Sequence, residues 1–167
     1  MNREDRQKRL NEILEARKQE EIIQEAIQKE KEIKVLLQEV FGETDAFEIL
    51  DSNHSDLIGE NFSGNFPIAF WNRIDWENDR VNRVEINDKD SKSIFSKLIS
   101  KGFDTSAPIY ILWGYNSYPF IKTILTEELL SNLDEIIWLG TDLYIYCPTQ
   151  KYVVEFFHDD SVNLGWV

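Results

Sequence analysis

One cysteine, one methionine, two histidines, four prolines and seven glycines are spread over 167 residues, and each scarcity closes off a class of answers. Cys147 has no second thiol in the chain, so an internal disulfide is excluded and a reducing compartment fits. His54 and His158 do not by themselves make a strong metal site, and neither has a ligand partner at helical spacing. No apolar run approaches the ~20 residues that a spanning helix needs. The opening MNREDRQKRLNEILE has no apolar core of the kind a secretory signal carries. The stretch 59–64 (GENFSG) has two glycines but lacks the lysine of a phosphate-cradling loop. These absences lead us to expect a cytoplasmic protein with no cofactor, no metal and no membrane segment.

Basic residues are scarce as well, and unevenly so. Residues 1–40 hold nine Lys/Arg against ten Asp/Glu, while the other 127 hold nine against 21, or −12 of the formal −13. A body so acidic repels nucleic acid and anionic membrane and attracts basic partners at long range. At the same time 42% of residues are hydrophobic and 13% aromatic, enough for a packed core.

Residues 2–41 contain neither Pro nor Gly and place acids four residues ahead of bases at Glu4/Lys8, Asp5/Arg9, Glu25/Lys29 and Glu30/Lys34, a helical pattern that stops at Gly42. Its apolar residues fall into three patches: Leu10, Ile13 and Leu14; Ile22, Ile23, Ala26 and Ile27; and Ile33, Leu36, Leu37, Val40 and Phe41. Arg17, Glu20 and Glu30 interrupt any heptad seam, so the third patch is expected to dock and the first two either pair with another chain or remain solvated. The organisation expected is a charged helical arm (1–41) and an acidic α+β domain (42–167).

Within that domain, strands are expected at 47–50, 66–74, 81–86, 109–113, 135–139, 143–147 and 152–157, with a further candidate at 162–167. Helices are expected at 91–101 and 121–133, where Thr126-Glu127-Glu128 offers a possible internal cap. Residues 51–65, rich in Asp, Ser, Asn and Gly, read as a loop. The segments 66–74 and 81–86 suggest a hairpin. The resulting fold is α+β: a long N-terminal helix, then a mostly antiparallel sheet with helices on one face.

Chemistry-bearing residues are few. His158 with Asp159, Asp160 and Glu155 offers a base with acids nearby, but strand alternation separates Glu155 from His158. Cys147 has no local cation to lower its pKa and reads as a core residue. Trp113 and Trp138 sit in apolar runs and read as core. Trp71, Trp76, Tyr115 and Tyr118 adjoin turn residues, where they either face a partner or pack under loops. The charges beside Trp76 are Asp75, Glu77 and Asp79, which disfavour phosphate.

The closing stretch DEIIWLGTDLYIYCPTQKYVVEFFHDDSVNLGWV, with its Trp strand, Tyr strand, turn and V-V-E-F-F-H, resembles the final meander of small bacterial immunity-type proteins. These neutralise polymorphic or contact-dependent toxins. The resemblance implies a non-enzymatic inhibitor; with the acidic body, it points to a basic toxin domain, a nuclease, as partner. The candidate contacts are Asp75, Trp76, Glu77, Asp79, Tyr115, Tyr118, Asp142, His158, Asp159 and Asp160. Two other readings stay open: an adaptor that binds through its N-terminal helix, and a hydrolase that uses His158.

Overall fold

Ile109, Ile111 and Trp113 point to one side of a strand and Tyr110 and Leu112 to the other, and both sets are covered. That double coverage organises the molecule. The structure, a computed structural model, describes residues 3–42, 45–70, 73–87, 90–114, 118–137 and 139–167. Trp71, Tyr115 and Trp138 fall outside them.

Seven strands form one antiparallel sheet in the order β1-β4-β3-β5-β6-β7-β2. They are β1 (Glu48–Ile49), β2 (Asn82–Glu85), β3 (Pro108–Gly114), β4 (Ile121–Ile124), β5 (Asp142–Cys147), β6 (Tyr152–Phe156) and β7 (Val162–Trp166). The helices are α1 (Arg3–Phe41), α2 (Ser52–Asn65), α3 (Ser91–Ser100), α4 (Glu127–Ser131) and α5 (Asp134–Ile137). The α+β class expected from sequence is the one found. Ile33 and Leu37 of α1, Ile94 and Leu98 of α3, Leu129 of α4 and Ile136 of α5 pack with Ile111, Ile145 and Val154 on one face. On the other face Phe62 and Phe66 meet Leu112, Tyr144, Tyr146 and Val153.

Four expected elements are replaced. Residues 52–65 are helix and not loop. Asp51 caps α2, accepting from the His54 amide at 2.8 Å. Farther along, Asn61 and Asn65, one turn apart, clasp the buried Tyr146 hydroxyl: it donates to Asn61 Oδ1 and accepts from Asn65 Nδ2 at 2.9 Å. Asparagines that signal a loop locally are thus recruited by a tertiary partner. Among the described residues of 66–74, Ile68 and Ile74 form an isolated bridge and no strand is present; Phe70 is 93% exposed. The hairpin expected with 81–86 is absent, and β2 pairs with β7 instead, Val84 opposite Leu164.

The segment 121–133 splits in two. Ile121 and Thr123, both buried, alternate with Lys122 and Ile124 in β4, and the Thr123 hydroxyl donates to the Ala46 carbonyl at 2.9 Å. Thr126 then caps α4, accepting from the Leu129 amide at 3.0 Å. Finally, residues 135–137 of the run expected as a strand belong to α5; the Glu135 amide continues the preceding turn by donating to the Asn132 carbonyl. A run that short has no readable period.

In α1 only the last patch docks, through Ile33 and Leu37 with Leu36 and Phe41 at the margin. Residues 4–28 are exposed along about 38 Å of helix. Tyr118 fastens the docked end: its hydroxyl donates to Glu32 at 3.0 Å and Lys29 lies over its ring. No helix among the described residues is long and apolar enough to cross a membrane.

Two outcomes follow. Deleting residues 1–20 removes no buried apolar side chain, so the midpoint of thermal unfolding should move by less than about 2 °C. Gly165→Ala, by contrast, places a methyl 2.4 Å from the Trp76 ring. Overpacking of that kind costs about 1–3 kcal/mol and should lower the midpoint by roughly 3–9 °C in calorimetry.

Candidate partner-binding surface

The second layer over the sheet, α2 followed by the connector 66–81, carries four of the ten candidate residues, Asp75, Trp76, Glu77 and Asp79. Its attachment is a buried carboxylate. Glu155 of β6 is completely buried; one oxygen accepts from the Trp76 indole at 2.7 Å, from Arg73 Nε at 3.3 Å and from Asn163 at 3.3 Å. The other accepts from the Ile74 amide at 3.2 Å. Arg73 reaches onward to Ser161 at 2.8 Å and Asp159 at 3.5 Å and stacks on Phe157. Trp76 covers Gly165 closely enough that only glycine fits beneath it, and Arg83 lies over the indole ring. Burial pushes the Glu155 pKa above the usual carboxylate range, against the opposing pull of Trp76, the Ile74 amide and Arg73.

Trp76 is therefore a half-buried structural residue whose indole N–H is already taken, and not the exposed anchor that its neighbours suggested. Asp142 differs from expectation more sharply. It lies at the start of β5, fully buried, and one oxygen accepts from the His158 amide at 3.0 Å with His158 Nδ1 2.9 Å away. It cannot contribute to a surface in this fold. Its other oxygen is buried with no hydrogen-bond partner, facing Gly114, where a Cβ would meet it at 3.4 Å. His158 itself is exposed. Asp142 orients its ring, but among the described residues that ring bonds to no hydroxyl or thiol, so a nucleophile is missing from the pair.

Asp75, Glu77 and Asp79 follow on the connector; Asp75 is half-buried, and Glu77 and Asp79 are exposed. None of the three makes an ion pair among the described residues. Asp159 is held below the usual carboxylate range by the Ser161 hydroxyl and amide, with Arg73 adding to the effect. Asp160 sits beside it in the β6–β7 turn, with left-handed backbone (φ 67°). Arg73 and Glu155 thus bring the connector and the β6–β7 turn together. Tyr118 lies apart, at the arm; burial and its bond to Glu32 raise its pKa.

Reading 51–65 as loop hid two further acids. As a helix, that segment sets Asp56 and Glu60 one turn apart on an exposed face. Residues 51–79 then carry six acids (Asp51, Asp56, Glu60, Asp75, Glu77, Asp79) against one base, Arg73, which Glu155 engages. Among the described residues no group of three or more His, Cys, Asp or Glu is arranged to hold a metal ion.

Fold and surface together define a class: a small α+β protein with a carboxylate-rich outer layer fixed to its sheet. The pattern of the family described as CdiI immunity protein EcoliA0-like matches residues 36–165, from the docked end of α1 to Gly165 in β7. The chain belongs to this family, the toxin-neutralising immunity proteins of contact-dependent inhibition systems. No curated protein matches it at a significant level.

The raised pKa of Glu155 fixes the sign of a pH effect. Its protonated form is favoured in the folded state, so the contribution is fully present below the unfolded pKa and declines as pH rises through the folded one. Glu155→Gln cannot titrate and leaves some of the donors around it unpaired, costing about 1–3 kcal/mol. Chemical denaturation of both proteins should show that cost to be larger near pH 4.5 than near pH 7.

Proposed function

We propose that the chain neutralises a cationic toxin domain by stoichiometric binding, with no chemistry of its own, and that the toxin is a nuclease whose basic cleft the acidic layer covers. The observation that carries this is the charge of the layer 51–79, six carboxylates against one guanidinium that a buried partner occupies. Arg80, exposed near the end of the connector, is the one further base in the layer and leaves it strongly negative, and such a field raises association rates by ~10–10³. Fast capture suits a protein that must act before damage is done. Asp75, Glu77 and Asp79 form the connector's part of the face, and His158, Asp159 and Asp160 extend it at the β6–β7 turn. Tyr115 and Tyr118 are the aromatic candidates. Glu155, Trp76 and Asp142 serve the scaffold behind it. Family membership supports the toxin as partner.

The test pairs cell protection with kinetics. Cells that express the cognate toxin domain should survive when this protein is co-expressed, and the purified pair should associate more slowly as salt rises. Reversing Asp75, Glu77 and Asp79 to Lys should slow association about tenfold at low salt and leave the thermal midpoint unchanged. Protection combined with a salt-independent association rate would contradict the electrostatic reading.

A further inference from the structure

The buried stripe of α1 does not end where the body ends. Ile33 and Leu37 are covered, but Ile23, Ala26 and Ile27 continue the same side of the helix at i, i+3, i+4 spacing and are exposed. Ile23 is 56% exposed and Ile27 55%. Opposite them stands α2, presenting Ser55 and Gly59, and the floor between is Tyr118, Pro119 and Phe120. Together they enclose an open groove of about 850 Å³.

Its charge has one sign. Glu30, Asp51, Asp56 and Glu60 line it, and among the described residues no lysine or arginine does. Glu30 is paired with Lys34 and Asp51 with His54, leaving Asp56 and Glu60 without an ion-pair partner among the described residues. Acids four apart on one helix face repel each other, a small standing cost that a cation placed between them removes. An apolar wall beside a carboxylate rim fits a segment that presents an apolar side chain flanked by Lys or Arg. A second copy of this chain fits poorly, since like charge would meet like across the same rim.

We propose that this groove between α1 and α2 is the anchor point for the toxin: a basic amphipathic segment of the toxin domain lays its apolar side chain against Ile23 and Ile27 and its cations against Asp56 and Glu60. The inference rests on the toxin-binding reading above and adds where the complex is held. The family match begins at residue 36, so the wall bearing Ile23 and Ile27 lies outside the shared region. That places partner discrimination on a part of the chain that the family pattern does not describe.

Binding of the cognate toxin domain to the full chain, measured by surface-immobilised kinetics, tests it. Ile23→Gln/Ile27→Gln changes only exposed helix positions and should speed dissociation at least tenfold. Asp56→Lys/Glu60→Lys should slow association at least tenfold, whereas Glu12→Lys/Glu15→Lys, the same charge change on the distal arm, should alter it less than threefold. The chain lacking residues 1–20 keeps both groove walls and should bind as the full chain does. If wild type binds and both groove variants stay within twofold of it, the anchor is elsewhere and toxin neutralisation stands. If wild type does not bind the toxin, the groove proposal and the functional reading fall together.

Discussion

The carboxylate of Glu155 is the constraint on which the rest of the structure depends. It is fully buried opposite Asn163 in the β6–β7 ladder, and an isolated charge there would be costly. Its donors come from the connector, through Arg73, Ile74 and Trp76, and from the neighbouring strand, through Asn163. Satisfying one group therefore fixes the path of a segment that is neither helix nor strand. Gly165 is part of the same solution, because the Trp76 ring that reaches Glu155 passes within 2.4 Å of where a Cβ at residue 165 would stand. The outer layer, with its surface acids, is thus held to the sheet by a polar network and by the Phe62–Phe66–Tyr146 aromatic packing beside it.

The strands of the sheet's centre were legible because their patterns are self-contained. Residues 143–147 and 152–157 are apolar runs bounded by turn residues, and they pair with each other antiparallel, Ile145 opposite Val154. The helix at 91–101 was legible for the same reason, with Ile94 and Leu98 buried and Gly102 stopping it at φ +83°. What failed depended on partners distant in sequence. Asn61 and Asn65 are loop formers until Tyr146, 81 residues beyond Asn65, takes both side chains. Residues 82–85 find their partner in 163–166 and not in the nearer 66–74. The acidic face was half legible: Asp75, Glu77 and Asp79 stand out in any reading, whereas Asp56 and Glu60 become a pair only once α2 is a helix. Asp142 shows the converse, since a Gly-Thr-Asp sequence looks like a solvent turn while the fold draws its carboxylate inward to hold His158.

Scaffold and surface divide the charge between them. Buried acids, Glu155 and Asp142, are tied to fixed donors and shape the backbone; surface acids on α2 and the connector have few such ties and set the field that a partner meets. The arm joins these two roles. Its docked end, clamped by Tyr118, belongs to the core, and the next two turns extend the same apolar stripe beyond the body into a groove whose charged lining, among the described residues, is carboxylate.

Hydrogen–deuterium exchange along the whole chain, free and bound to the cognate toxin domain, tests most directly where that surface lies. The account predicts slowed exchange on binding at residues 21–30 and 51–63, with β5 and β6 unchanged because their amides are already protected within the sheet. Slowed exchange confined to the edge strand at 82–85, with 51–63 unaffected, would show a partner that adds a strand to the sheet, and would contradict the acidic layer as the binding face.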